Sequence, residues 1–230
     1  AGFCPTAYTA FEKEQMGWQV DIKPLDSDAS VTMTTSTEQG GTAYKIVNPL
    51  NDKEYLMLEY IQLEGWNKYL FGNGLLVYHV CLPSETLYSG THLNNAPGYP
   101  GMAVVPADGA CLSSYLKANE NDYVNSHKGD IFGQNVTELS DTNKQPNFCW
   151  YNATKTEKLN TNKAIKNIKY DNGVLTFDYV NDVASGILPV WGDKQATDGR
   201  VYSINGAYLG DDITKLPHGI YIVNGQKIVK

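Results

Sequence analysis

Four histidines (His79, His92, His127, His218) and four cysteines (Cys4, Cys81, Cys111, Cys149) are the side chains best suited to metal or nucleophilic chemistry. A hydrolytic zinc site needs three protein ligands and a water, most legibly as H-E-x-x-H on a helix. No two histidines lie within four residues of each other, which excludes a helical zinc dyad but not a site assembled from distant histidines. The cysteines have no C-x-x-C spacing and no nearby histidine pair, so a structural zinc site is disfavoured. Four buried free thiols, or one or two disulfides in an exported protein, both stay open, and four cysteines allow three full connectivities.

His79 lies two residues before Cys81 on an expected strand, so the two side chains share a face and a thiol–imidazole pair is conceivable. Cys–His enzymes usually draw the two groups from separate parts of the chain, and Cys81 has no local signature. Glu59 and His79 occupy comparable places in neighbouring expected strands, which suggests an ion pair across the sheet, more often structural than catalytic. No G-x-S-x-G elbow, P-loop or dinucleotide fingerprint is present. Asp122, Asp130, Asn135 and Asp141 could offer oxygen ligands to calcium, but the EF-hand spacing is absent and solvated loop carboxylates are the simpler reading. Sixteen tyrosines with Trp18, Trp66, Trp150 and Trp191 permit a sugar-binding platform, although half-buried strands use tyrosine without any ligand. Asn135-Val-Thr and Asn152-Ala-Thr match glycosylation sequons, a pattern that often arises by chance.

The elements that must position these groups read mainly as β. CPTAYTAFEKEQMGW predicts a short N-terminal helix, with Thr6 as cap, Ala7, Phe11 and Met16 at roughly helical spacing, and Gly17 at its end. Strands are expected at Val31–Ser36, Ala43–Val47, Tyr55–Ile61 and Leu75–Val80, each bounded by turn-forming residues. LMLEYI and LLVYHV are more apolar than strict alternation predicts, so both should be covered on two faces. Residues 81–162 are loop-rich, with Met102–Val105 as the one expected interior strand, and such loops are usually functional or anchored by a disulfide or an ion. AIKNIKYDNGVLTFDYV predicts a hairpin turned by Asn172-Gly173, with Leu175, Phe177 and Tyr179 on the buried face. The fold class expected is therefore mainly β: antiparallel, sandwich-like sheets at residues 1–182, a linker at 183–198, and a small β-module at 199–230 with Asn205-Gly206 and Asn224-Gly225 turns.

With 42% hydrophobic and 19% charged residues the chain reads as folded and soluble. A formal charge of −7 without a basic cluster excludes the field that non-specific nucleic-acid binding needs. The longest apolar run, around Leu75–Val80, falls far short of the ~20 residues that span a bilayer, so no transmembrane segment is expected. The chain opens at AGFCP with no basic n-region before an apolar h-region, which suggests a mature product or an excised fragment.

EYLMLEYIQLEGWNKYLFGNGLLVYHV resembles the downstream part of the peptidase unit in immune inhibitor A-like secreted metallopeptidases, whose pattern runs roughly (E)YFLLENRQ…GWD…LPG.GLLI(Y/W)HVD. CPTAYTAFEKEQMGW resembles their P.GYSAYEK..LGW, VVPADG their IIPADG, and KNIKYDNGVLTFDY their I.NI….G.ISFDF, in the family's order over about residues 2–180. The family's zinc-binding H-E-x-x-H lies upstream of these motifs, so the resemblance places no catalytic or metal residue in this chain and implies zinc, as cofactor, only for an upstream part. It does place Glu59 at the family's strand glutamate, Trp66 at its turn tryptophan and His79 at the histidine of HVD, as structural or cleft-supporting residues. Cys81 stands where the family has aspartate, which removes any role needing a carboxylate there.

The last residues, GRVYSINGAYLGDDITKLPHGIYIVNGQKIVK, resemble C-terminal sorting-like modules of secreted proteins from Bacteroidetes-type bacteria. The function expected is thus a non-catalytic C-terminal portion of a secreted or cell-surface bacterial metallopeptidase-like protein, inactive alone, with an upstream peptidase domain as its partner. The alternative is a surface module that binds glycans, peptides or host proteins on a degenerate peptidase scaffold.

Overall fold

The computed structural model describes residues 5–82, 94, 98–111, 127–182, 200–203, 205–223 and 226–230. Cys4, His92, Asp122, Trp191, the Asn224-Gly225 turn and the expected linker at 183–198 lie outside the described residues. The chain divides into two compact units, residues 1–183 and 184–230.

Thr9, not Thr6, starts the N-terminal helix α1, Ala10–Gln15. Its hydroxyl accepts from Glu12 N–H at 3.2 Å while the Glu12 carboxylate accepts from Thr9 N–H at 2.8 Å, the reciprocal box that a T-x-x-E spacing makes. Ala7 therefore lies before the helix. Gly17, at φ 68°, follows its last turn as expected.

Five strands form the first sheet: β1 Ile22–Pro24, β3 Ala43–Asn48, β4 Asn51–Ile61, β5 Gly74–Cys81 and β6 Met102–Val104, hydrogen-bonded in that order. β1 runs parallel to β3 and every other pair is antiparallel. The second sheet has the order β2 (Ala29–Met33), β11 (Val174–Val180), β10 (Ala164–Asp171), β7 (Leu139–Ser140), all antiparallel. Leu56, Leu58, Leu75 and Val77 of the first sheet share one core with Val31, Ile165, Leu175 and Phe177 of the second, so the two pack face to face as a sandwich. Helix α1 lays Ala10 and Phe11 on the opposite face of the first sheet, against Tyr55, Met57, Tyr78 and Val80. β4 and β5 are thereby covered on both sides, as their continuous apolar runs predict.

Asn172 and Gly173, at φ 48° and 82°, turn the β10–β11 hairpin, and Leu175, Phe177 and Tyr179 are its buried face, as expected. β10 carries a bulge between Lys166 and Lys169 with Asn167 at φ 52°. Asn167 Nδ2 and Ser30 Oγ both donate to Asp178, at 2.7 and 2.6 Å, so one carboxylate ties together three strands of the second sheet. Gly74 is required for a different reason: at φ 143° its added Cβ would stand 2.2 Å from the Phe132 carbonyl oxygen, where Leu75 bridges Phe132.

Two expectations for the loop-rich stretch need correction. Met102–Val104 is a half-exposed strand at the sheet edge, not an interior one. β7 and the two-residue pair β8 (Trp150–Tyr151) and β9 (Lys158–Leu159) had no periodicity long enough to reveal them. The strand expected at Val31–Ser36 is shifted towards the N-terminus, to Ala29–Met33.

The second unit is an antiparallel sheet of β12 (Val201–Ser203), β13 (Tyr208–Gly210), β14 (Ile220–Val223) and β15 (Gln226–Val229), in the order β13-β12-β14-β15. At the Asn205-Gly206 turn only Gly206, φ 81°, is left-handed, so the loop is not the two-residue type its dipeptide suggests. No helix among the described residues is long and apolar enough to cross a membrane.

Candidate functional site

His79 does not pair with Glu59. In the β4–β5 register His79 lies opposite Leu56 and Glu59 opposite Leu76, and opposite residues point to the same side of a sheet. Glu59 and His79 therefore face away from each other, one towards α1 and one towards the second sheet's side. The carboxylate that reaches His79 is Glu54, which lies at the start of the apolar run instead of interrupting it and so carries no local signal. His79 Nε2 lies 2.9 Å from Glu54 Oε1, and both side chains have no exposed surface.

Three groups converge on the Glu54 carboxylate. Oε1 also accepts from Tyr151 N–H at 2.7 Å, and Oε2 accepts from Asn48 Nδ2 at 2.6 Å. A carboxylate can only accept, so the Nε2–H tautomer is the one that fits this contact. The imidazole meets Tyr151 and Trp150 edge-on, at centroid distances of 4.6 and 6.0 Å, and Trp150 Nε1 donates to Thr161 O at 3.3 Å. Nδ1 is buried without a partner among the described residues. The arrangement holds β8 against the end of β4 and β5 and offers no route for a substrate to the ring.

Cys81 shares His79's face, as expected, and lies opposite Glu54. It packs with Cys149 and Tyr151 in a small buried cluster. Burial pushes its thiol above the ordinary cysteine value, and the Glu54 charge pushes in the same direction. A nucleophile needs the opposite environment, one that favours the thiolate, so the Cys81–His79 pair is not an activated one.

Glu59 serves α1. Its Oε1 accepts from Ala10 N–H at 2.7 Å and from the Tyr78 hydroxyl, while Phe11 N–H donates to Tyr78 Oη at 3.2 Å. Two orphan N–H groups of the helix's first turn are thus satisfied from the strands beneath it. Burial raises the Glu59 carboxyl above its ordinary value, partly offset by these two hydrogen bonds. Burial, then the neighbouring Glu59, raise Tyr78 well above the tyrosine range.

A second set of reactive side chains lines a cleft of about 630 Å³: Cys111, His127, Asp130 and Asn147, with Val104 and Pro106. His127 Nδ1 is 2.9 Å from Asp130 Oδ2, and its ring stacks on Phe71 at 5.1 Å. A carboxylate that orients an imidazole beside a thiol is the layout of a base-assisted nucleophile. The electrostatics run against it: burial raises the exposed-edge thiol of Cys111, and Asp130 and Asp108 add to the rise. Asn147 Nδ2, anchored to Val104 O at 2.8 Å, lies 3.7 Å from Cys111 Sγ. The sequence signal for this cleft was the His127-x-x-Asp130 spacing, visible but too short to be specific.

Trp66 sits in the 3-10 turn Gly65–Asn67 with 58% of its surface exposed, its N–H donating to Glu38 Oε1 at 3.3 Å. Tyr69 is exposed nearby, and Ala7 N–H bonds Asn67 Oδ1 at 3.3 Å, which brings in the segment bearing Tyr8 and its edge-on partner Trp18. Trp150, by contrast, is buried. Of the carboxylates weighed as calcium ligands, Asp141 spends both oxygens on Thr161 and Asn162 N–H groups, and Asp130 turns Oδ2 to His127. Among the described residues no group of three His, Cys, Asp or Glu is arranged to hold a metal ion. Comparison with protein-family models, curated proteins and solved structures finds no match to this chain.

Proposed function

We propose that this chain is a non-catalytic C-terminal portion of a secreted bacterial metallopeptidase-like protein, a β-sandwich that supports a cleft built elsewhere and carries a sorting-like module at its end. The observation that carries the reading is the enclosure of His79. The histidine at the resembling HVD position has no exposed surface and is bonded to Glu54, so it works as a strut between strands. Glu59, at the other matching position, is likewise committed to the first turn of α1. A parent chain with an upstream zinc-bearing part would hydrolyse peptide bonds through metal-activated water, and this portion would contribute packing.

Incubating the purified chain with zinc and casein tests the reading directly. No cleavage is expected, and robust cleavage abolished by a chelator would overturn it. Intact mass of the native precursor tests the parentage, with a product extending upstream through an H-E-x-x-H as the expected result.

A second reading, a surface module binding glycans or proteins, is favoured by one observation. Tyr8, Trp18, Trp66 and Tyr69 are each more than half exposed, and the Ala7–Asn67 bond draws their two segments together. Stacking of sugar rings on such faces would quench tryptophan fluorescence. Quenching by a panel of oligosaccharides that Trp66→Ala removes would favour this reading over the first.

A further inference from the structure

Two of the chain's thiols are buried in the same place. Cys81 ends β5 and Cys149 immediately precedes β8, and with Tyr151 they form a cluster apart from the main cores. Each is a free cysteine, Cys81 at 1% and Cys149 at 8% exposure.

Their proximity follows from contacts already described. Glu54 lies opposite Cys81 on the same face of the sheet, and its Oε1 receives the N–H of Tyr151, which fixes β8 beside that pair. Cys149 sits in the bend that leads into β8, and it shares one buried cluster with Tyr151 and Cys81. The Tyr151 ring lies against His79, the residue two before Cys81 on Cys81's face. Glu54 acts on both thiols electrostatically, as expected for two groups around one carboxylate.

We propose that Cys81 and Cys149 are a cross-linking site, joined as a disulfide when the chain folds under oxidising conditions. The oxidant is a disulfide of a low-molecular-weight thiol or of a thiol–disulfide exchange protein. One cysteine thiolate attacks that disulfide, forming a mixed disulfide and releasing one thiol. The second cysteine then attacks the mixed disulfide and releases the other thiol, so two protein thiols lose two protons and two electrons and the oxidant gains them. Burial keeps both thiols protonated in the finished fold, Cys149 up to about 11, so the link forms during folding, before the cluster closes.

The bond closes the chain from residue 81 to residue 149, where the described strands are only the three residues of β6 and the two of β7. A cross-link closing a loop of this length acts chiefly by restricting the unfolded chain. The proposal needs no peptidase parent and holds or fails independently of it.

The test refolds the full chain in mixed oxidised and reduced glutathione, blocks free thiols with iodoacetamide and maps the digest by mass spectrometry. A linked Cys81–Cys149 peptide pair is expected, with a melting temperature roughly 10 °C above that of the reduced protein. Cys111→Ser should keep both the link and the shift, and Cys149→Ser should lose both. Recovery of Cys81 and Cys149 as alkylated peptides, or linkage of Cys81 to Cys4 or Cys111, would overturn it. If Cys149→Ser fails to fold, the linked peptide in the unsubstituted chain still decides the question.

Discussion

The 2.9 Å hydrogen bond from His79 to Glu54 joins two strands of one sheet to a third segment, because the same carboxylate oxygen receives the N–H of Tyr151. A buried donor left without its acceptor costs more than the intact hydrogen bond contributes. Glu54→Ala leaves the imidazole, the Tyr151 N–H and the Asn48 amide without an acceptor and should lower stability by about 3–5 kcal/mol. Urea unfolding measures this, and a loss below about 1 kcal/mol would mean the cluster is solvated and the strut absent.

Glu59 predicts a pH dependence. Its folded value is raised, chiefly by burial, so its contribution to stability is complete below the ordinary glutamate value and is lost as pH rises through the raised one. Glu59→Gln keeps an oxygen for Ala10 N–H and Tyr78 but cannot ionise. It should therefore melt higher than the unsubstituted chain at pH 7 and equal to it near pH 4. Equal deficits at both pH values would show that the amide is simply a poorer cap.

The helix cap can be tested by a pair of substitutions. Thr9→Ala removes the acceptor for Glu12 N–H and should cost about 1 kcal/mol, whereas Thr6→Ala, outside the helix and making no cap bond, should be neutral in the same denaturation series.

Gly74→Ala should be among the most damaging single changes. The new methyl meets the Phe132 carbonyl and the backbone sits at a positive φ that alanine resists. A loss of about 3 kcal/mol or more is expected, read as a lower melting temperature or loss of soluble protein.

What the sequence reveals and conceals here follows from interaction range. The β10–β11 hairpin, the buried alternation of Leu175, Phe177 and Tyr179, and the two-sided burial of β4 and β5 were legible because periodicity and turn chemistry are local. The Thr9 cap is equally local, since T-x-x-E can be read directly, and that spacing separates Thr9 from the expected cap Thr6. The partner of His79 was not legible. Strand pairing alone leaves register open, and a shift of a few positions exchanges Glu59 for Glu54 while turning the side chain to the other face. In the Cys111–His127–Asp130 cleft only the His127-x-x-Asp130 pair is local, and the approach of Cys111 to it, like the Cys81–Cys149 cluster, depends on contacts between distant segments that no spacing encodes.

Thiol reactivity in the reduced protein separates the three described cysteines. Cys111 is exposed while Cys81 and Cys149 are buried, so iodoacetamide under native conditions should label Cys111 first. The rate should nevertheless be slow at neutral pH, because burial of the sulfur and the nearby Asp130 and Asp108 carboxylates hold the thiol above its ordinary value. Only the thiolate reacts, so the rate should climb about tenfold per pH unit until the thiol ionises. Replacing Asp130 with Asn removes one of the charges opposing ionisation and should speed labelling at pH 7. A fast, pH-independent reaction at Cys111 would instead mean that His127 already draws off its proton, and the cleft would then have to be read as catalytic. Rapid labelling of Cys81 would revive the Cys81–His79 pair that its burial beside Glu54 now argues against.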